Sequence, residues 1–363
     1  MNIIIIVFIM LTFISRIIVI NANIHVPLLA LGTILIVGTQ CLYIAVFSYR
    51  LVYRQGYTLK SAFKMEDTVV KKLLILTLPI LLASAVEQII ISFDRNFASN
   101  FGPEAVSALA YATRALIAIS GTFITSVLIF TYPKIAEFSV IKNTSQMKKA
   151  ISESIVAMCL FTIPVIAAVA MFSHPVASLL FRRGAFNVET IAVTSQLLFI
   201  YVFALFGHGL IQLITRAFIV IGNFKIPILS AVFTVVMNII INILLTPVIG
   251  ITGFALAKSI STLLGFAILL LLLRRKLGGL FLKKTIESLS KITAASVIMA
   301  FGAYFIYQYV LPFNAMLALV VAALVGMMIY GVLLLILRIH EVDYLISTAF
   351  GYIRKRAEDR RNL

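Results

Sequence analysis

Long apolar stretches broken by short polar connections dominate the chain and set its secondary structure. Cutting at charge clusters, prolines and glycines gives ten stretches, approximately 2–20, 26–47, 72–99, 104–132, 149–172, 189–215, 226–248, 252–273, 290–309 and 312–337. Several exceed the roughly 20 residues that carry an α-helix across about 30 Å of hydrocarbon. Alternating ten-residue segments of the barrel type do not occur. The pattern predicts an all-α fold, a polytopic transmembrane helical bundle of about ten spans. Helix starts are marked locally: Pro103 with Glu104, Asn143 with Thr144, and Pro227 place initiating or capping groups just ahead of apolar stretches.

Composition strengthens this reading. Of 363 residues, 62% are hydrophobic and only 12% charged, and the mean hydropathy is +1.12, whereas about a quarter of residues are charged in soluble domains. The net charge of +17 does not point to nucleic acid, because the bases sit between apolar runs, as topology signals do, and not along one soluble face. Cys41 and Cys159 both fall inside apolar stretches, which argues against a disulfide framework. The segment from Met1 to Ile20 lacks a basic start and a small-residue cleavage site, so it reads as a spanning helix.

Alternate connections hold most of the 30 basic residues. They are Arg50, Arg54, Lys60, Lys64, Lys71 and Lys72; Lys134, Lys142, Lys148 and Lys149; Arg216 and Lys225; Arg274, Arg275, Lys276, Lys283, Lys284 and Lys291; and Arg338, Arg354, Lys355, Arg356, Arg360 and Arg361. The excess of lysine and arginine assigns that side to the cytoplasm, with both termini inside. Arg182 and Arg183, between the fifth and sixth spans, run against the trend.

At the third span the text becomes specific. The stretch LTLPILLASAVEQIIISFDRNFAS from Leu76, with AVSALAYATR from Ala105, resembles the seventh and eighth helices of the MurJ (MviN) family of lipid II flippases. TYPKIAEF at Thr131, LLFRRGAF at Leu179, RAFIVIGNFKIP at Arg216 and GITGFALAKSIS at Gly250 extend the resemblance from about residue 25 to 276. It implies a partial two-lobe flippase fold of the multidrug and polysaccharide exporter superfamily. Residues 1–49 would be the last two helices of an N-terminal lobe, 50–71 a cytoplasmic linker, 72–276 a six-helix C-terminal lobe, 277–338 two additional helices and 339–363 a basic tail. Members resemble fourteen-helix proteins, and Met1 with Asn2 resembles the interior of the fifth helix. That implies a chain without counterparts of the first four, as in a truncated frame, a fragment or one half of a split protein.

The chemistry of the expected task selects the candidate residues. A diphosphate with a sugar-peptide crosses hydrocarbon only through a wet, cationic cavity. Arg114 lies about ten residues into the fourth span, roughly 15 Å deep, and a central arginine costs about 2.5 to 3.5 kcal/mol on insertion scales. Either it binds substrate, as the resemblance implies, or it pairs with Glu87 near the middle of the third span. Glu87 then neutralises Arg114 or switches partners as the cavity changes sides. Tyr111, three residues before Arg114, completes the substrate-binding set.

A second constellation gathers Asp94, two turns beyond Glu87, with Asn238, Asn242 and Lys258. Asn238 and Asn242 are one turn apart, and Asn242 and Lys258 flank the tight turn between the seventh and eighth spans at similar depth. In relatives with a sodium site, the resemblance implies an acid where Asn242 stands and a hydroxyl where Lys258 stands. Here Lys258 is expected to replace the ion by pairing with Asp94, and the alternative is a structural interhelical bridge with two packed amides. Arg182, Arg183 and Arg216 are surface or loop candidates; the first two, beside Gly184, either contact anionic lipid or the substrate head group or sit in a solvated loop with Gly184 making a turn. Nothing in the sequence calls for a cofactor or metal.

Several functions compete. The resemblance implies lipid II, undecaprenyl-diphosphate-linked peptidoglycan precursor, as substrate, with membrane lipids and a separate N-terminal half as partners. An O-antigen or capsule unit is the alternative cargo, and a multidrug exporter a further one. A membrane glycosyltransferase or acyltransferase usually needs acidic or histidine-bearing loops, whereas these loops are basic and only 4 histidines are scattered along the chain. A non-transporting half-protein is the remaining reading.

Overall fold

The structure, a computed structural model, describes residues 88–140, 143–181, 188–279 and 282–337, with isolated helical positions between 38 and 50. The first two expected spans are therefore described at those isolated positions only. Glu87, Arg182, Arg183, the linker after Arg50 and the basic tail lie outside the described residues. The chain divides into two compact units, Met1–Leu76 and Thr77–Leu363, and everything that follows concerns the second.

Its described part is a succession of helices. The stretch 88–98 (α1) ends in a 3-10 turn at Ser99–Phe101, followed by Pro103–Val140 (α2), Thr144–Met171 (α3), Ser173–Phe181 (α4), Val188–Tyr201 (α5), Ala204–Val220 (α6), Lys225–Ile249 (α7), Thr252–Leu277 (α8), Leu282–Val310 (α9) and Ala315–Ile336 (α10). Local chemistry sets the ends. Pro103 occupies the first position of α2 with Glu104 in its first turn, where a missing N–H costs nothing. The Asn143 side chain accepts from Gln146 N at 3.1 Å, and Asn314 accepts from Met316 N at 2.8 Å, each satisfying an orphan donor. The last carbonyls of α8 are closed by Gly278, whose φ of 68° suits glycine.

Six helices, α2, α3, α7, α8, α9 and α10, are long and apolar enough to cross a membrane, and the bent pair α5 and α6 makes a seventh. This matches the seven spans expected between 104 and 337, with three differences. Helix α2 runs 38 residues, about 57 Å, two turns beyond the expected end, because a charged final segment lowers hydropathy without breaking a helix. A short helix, α4, stands where a loop was expected. The expected span 189–215 is two helices meeting at 42°. Neither proline nor glycine stands at that break, but Ser259 Oγ on α8 donates to Ile200 O at 2.9 Å, so a side chain from a neighbour engages the carbonyl next to the bend.

Lipid is as apolar as leucine, so helices here associate through close packing and a few polar contacts. The largest buried cluster centres on α3, where Ile151, Met158 and Cys159 meet Ile124 and Leu128 of α2, Leu213 and Phe218 of α6, and Leu269 of α8. Glycines allow the close approach. A Cβ on Gly207 of α6 would stand 2.8 Å from the Thr262 carbonyl carbon of α8, and one on Gly253 would stand 2.9 Å from Thr246 Cα across the α7–α8 hairpin. Tyr330 of α10 donates to Leu160 O at 2.7 Å, tying the last helix to α3 by way of a partly buried hydroxyl.

Candidate functional site

Two polar regions interrupt the apolar helices. The first is one face of α2. Its packed face carries Ala105, Ala108, Leu109, Ala112 and Val127, all buried. On the opposite face, at helical spacing, Ser107, Arg114, Ala118, Gly121, Thr122 and Thr125 are exposed and Tyr111 is half-buried. Between Ser107 and Thr125 no leucine, valine, isoleucine or phenylalanine interrupts this stripe; the exposed Ile117 lies at its edge, and the exposed Phe123 and Phe130 lie on the far side of the helix, 18 residues on from Ala105 and Ala112. Ser107 Oγ donates to Pro103 O at 3.0 Å and Thr122 Oγ1 to Ala118 O at 3.0 Å, so these hydroxyls are satisfied within the helix. The guanidinium of Arg114 is different: among the described residues the ion pairs within 4.0 Å are Lys149–Glu153 and Lys291–Glu287, and no carboxylate meets Arg114.

The second region is a sealed seam between α1, α7 and α8. Asn242 and Asn238 are fully buried, and Asp94 is 9% exposed. Asn242 Nδ2 donates to Asp94 Oδ1 at 3.0 Å and to Asn238 Oδ1 at 3.2 Å. Asn238 Nδ2 then donates to Ser261 Oγ at 3.4 Å, and Ser261 Oγ donates to the Lys258 carbonyl at 3.1 Å. Two acceptors in this region are buried without a hydrogen-bond partner, Asn242 Oδ1 and Thr246 Oγ1. Unsatisfied groups of this kind are rare in native interiors and ask for an explanation.

The expected cluster is thus assembled, with one correction. Lys258 does not form the expected ion pair with Asp94: no contact within 4.0 Å joins them, although the ammonium is near enough for its charge to act on the carboxylate. The Asn242 amide takes the acid instead. A sodium ion does not fit these residues. Asn242 turns N–H donors, not oxygens, toward both Asp94 and Asn238, and a cation entering the seam would meet the like charge of Lys258. Among the described residues no group of three His, Cys, Asp or Glu side chains comes together.

Other expected positions fall as follows. Arg216 is not in a loop: α6 continues past it to Val220, and its guanidinium stacks over the Tyr132 ring of α2, 5.7 Å from the centroid. Tyr201 was not anticipated. It is buried at the break between α5 and α6, hydrogen-bonded to Thr113 and within electrostatic range of Asp94, so it links the seam to the helix that carries Arg114. Ser261 and Thr246 were also missed, though each repeats a helical spacing from a residue already singled out, three beyond Lys258 and four beyond Asn242.

Comparison with known proteins gives the family of the chain. The chain is similar to a probable lipid II flippase MurJ of Thermotoga maritima, 27% identical over 265 residues, covering 72% of this chain and 52% of the relative. It is also similar to the lipid II flippase MurJ of Thermosipho africanus, 29% identical over 198 residues, covering 54% and 38%. The chain therefore spans about half or less of the curated relatives it matches. Among solved structures, a lipid II flippase MurJ in an inward closed conformation superposes with a TM-score of 0.61 at 26% identity, over 73% of this chain and 54% of that one. A Vibrio cholerae MATE transporter superposes at 0.53 with 18% identity, over 68% and 55%, a likeness of fold alone. The family model described as lipid II flippase MurJ matches residues 1–337, and this helical, multi-pass membrane protein belongs to the MurJ family.

Proposed function

We propose that the chain moves a polyprenyl-diphosphate-linked saccharide-peptide, lipid II, from the cytoplasmic to the outer leaflet by alternating access. The observation that carries this reading is Arg114, a guanidinium on an exposed stripe of small and polar residues without a carboxylate partner among the described residues. In lipid such a group costs about 2.5 to 3.5 kcal/mol or more, and the cost is lifted where water and an anion reach it. A planar fork of five N–H donors matches a diphosphate bidentately. Tyr111 on the same stripe borders the site, and Glu87, outside the described residues, is the acid that the sequence offers to exchange with substrate for Arg114.

The basic connections assign both termini to the cytoplasm, and a bacterial cytoplasmic membrane is the compartment in which this substrate is made available. We read residues 72–276 as the C-terminal lobe and 50–71 as the linker, with the lobes rocking about the cavity. The chain acts as a transporter and not as an enzyme, needs no cofactor, and works with membrane lipids and with a separate N-terminal half where one is encoded. Arg182 and Arg183 serve as head-group contacts on the outer side.

The test is complementation of a bacterium depleted of its own lipid II flippase. The chain restores growth and Arg114→Ala does not, at equal membrane abundance. Equal growth with the variant, or none with the unaltered chain expressed together with any separately encoded N-terminal half, contradicts the reading.

A further inference from the structure

The seam between α1, α7 and α8 holds more than a structural bridge requires. Asp94 receives one hydrogen bond, from Asn242, while Asn242 Oδ1 and Thr246 Oγ1 are buried with nothing to accept from. A cation carried by the chain itself stands beside them. Lys258 lies on α8 symmetrically with Asn242 about the Gly250–Ile251 turn, its charge acts on Asp94, and its ammonium makes no ion pair within 4.0 Å among the described residues. Three donors without a carboxylate and two acceptors without a donor are therefore held within about one helical turn of each other in depth on one hairpin.

We propose that Lys258 is a tethered cation for this seam: when α1, α7 and α8 rearrange, its ammonium docks among Asp94 Oδ, Asn242 Oδ1 and Thr246 Oγ1, so the rearrangement proceeds without a metal ion. The observed arrangement is the undocked one, in which the Asn242 amide occupies the acid and the orphan oxygens wait for a donor. Docking releases the Asn242 amide from Asp94 and with it the chain of bonds through Asn238 and Ser261 to α8. A fixed ammonium supplies the positive charge that an oxygen-lined site otherwise draws from solution. The inference rests on the transport reading only for the existence of a second arrangement, and its test does not measure transport.

Thermal unfolding of the full chain in detergent, in sodium chloride and in choline chloride at equal ionic strength, tests it. The unaltered protein and Lys258→Arg are expected to unfold at the same temperature in both salts. Lys258→Thr removes the ammonium and leaves Asp94, the two orphan oxygens and a new hydroxyl, and is expected to gain about 2 to 4 °C in sodium over choline. Sodium-specific stabilisation of the unaltered protein overturns the proposal. A double-mutant cycle covers the case in which Lys258→Thr does not fold. Asp94→Asn and Lys258→Met each lower the unfolding temperature, and the double variant loses less than the two losses together. Additive losses overturn the proposal.

Discussion

The exposed stripe of α2 and the sealed seam of α1, α7 and α8 handle polar groups in opposite ways. On α2 Ser107 and Thr122 turn their hydroxyls back on their own helix, and the one charge in the middle has no carboxylate partner among the described residues. In the seam the Asn242 amide reaches across to Asp94 of α1 and along its own helix to Asn238, and water has little access. The first arrangement contributes nothing to holding helices together and is stable only beside water. The second ties three helices and is costly to disturb. Polar residues in one bundle thus separate into those left open along one helix face and those used to join helices.

Substitutions sharpen this contrast, and the largest effect belongs to the stripe. Arg114→Ala is expected to abolish growth support with the unfolding temperature unchanged, while Arg114→Lys retains part of the function, because an ammonium keeps the charge but not the bidentate fork. Gly207→Ala comes next and strikes the packing behind the seam: its Cβ would stand 2.8 Å from the Thr262 backbone, forcing α6 from α8 at a cost of about 1 to 3 kcal/mol, read in chemical unfolding. Asn242→Ala removes the amide between Asp94 and Asn238 and is expected to cost about 1 to 2 kcal/mol. The smallest effect is at Thr125→Ala on the stripe, which should leave stability within about 0.5 kcal/mol. Were Thr125→Ala to destabilise as much as Asn242→Ala, the division between the two regions would dissolve.

Much of the fold is written locally. For α7 the expected span 226–248 falls one residue inside each end of the observed Lys225–Ile249, because an apolar run between Asn223 and Gly250 leaves few alternatives. What escaped the sequence is what depends on a neighbour. The break at Tyr201–Phe203 carries no proline or glycine, and the side chain bonded beside it, Ser259, belongs to a helix some 60 residues later in the chain (Ser259 to Ile200, separation 59). The same holds for the site. Asn238 and Asn242 could be paired by their spacing and matched to Asp94 by depth, since both follow from helix geometry. Which partner Asp94 selects, the nearby amide or the lysine, depends on side-chain placement between helices, and there the expected ion pair gave way to the amide. Tyr201 carries no polar neighbours in sequence that would mark it, and only folding brings it to Thr113 and Asp94.

The most direct test of the account is whether water reaches the stripe of α2. In a background with Cys41 and Cys159 replaced by alanine, single cysteines at Ser107, Arg114, Thr125 and Phe130 would be exposed in intact membranes to a small, charged thiol reagent. The account predicts rapid labelling at Ser107, Arg114 and Thr125 and slow labelling at Phe130, an exposed position on the face of α2 away from the stripe that should face lipid. Labelling at Arg114 as slow as at Phe130 would place that charge against hydrocarbon and contradict the transport reading.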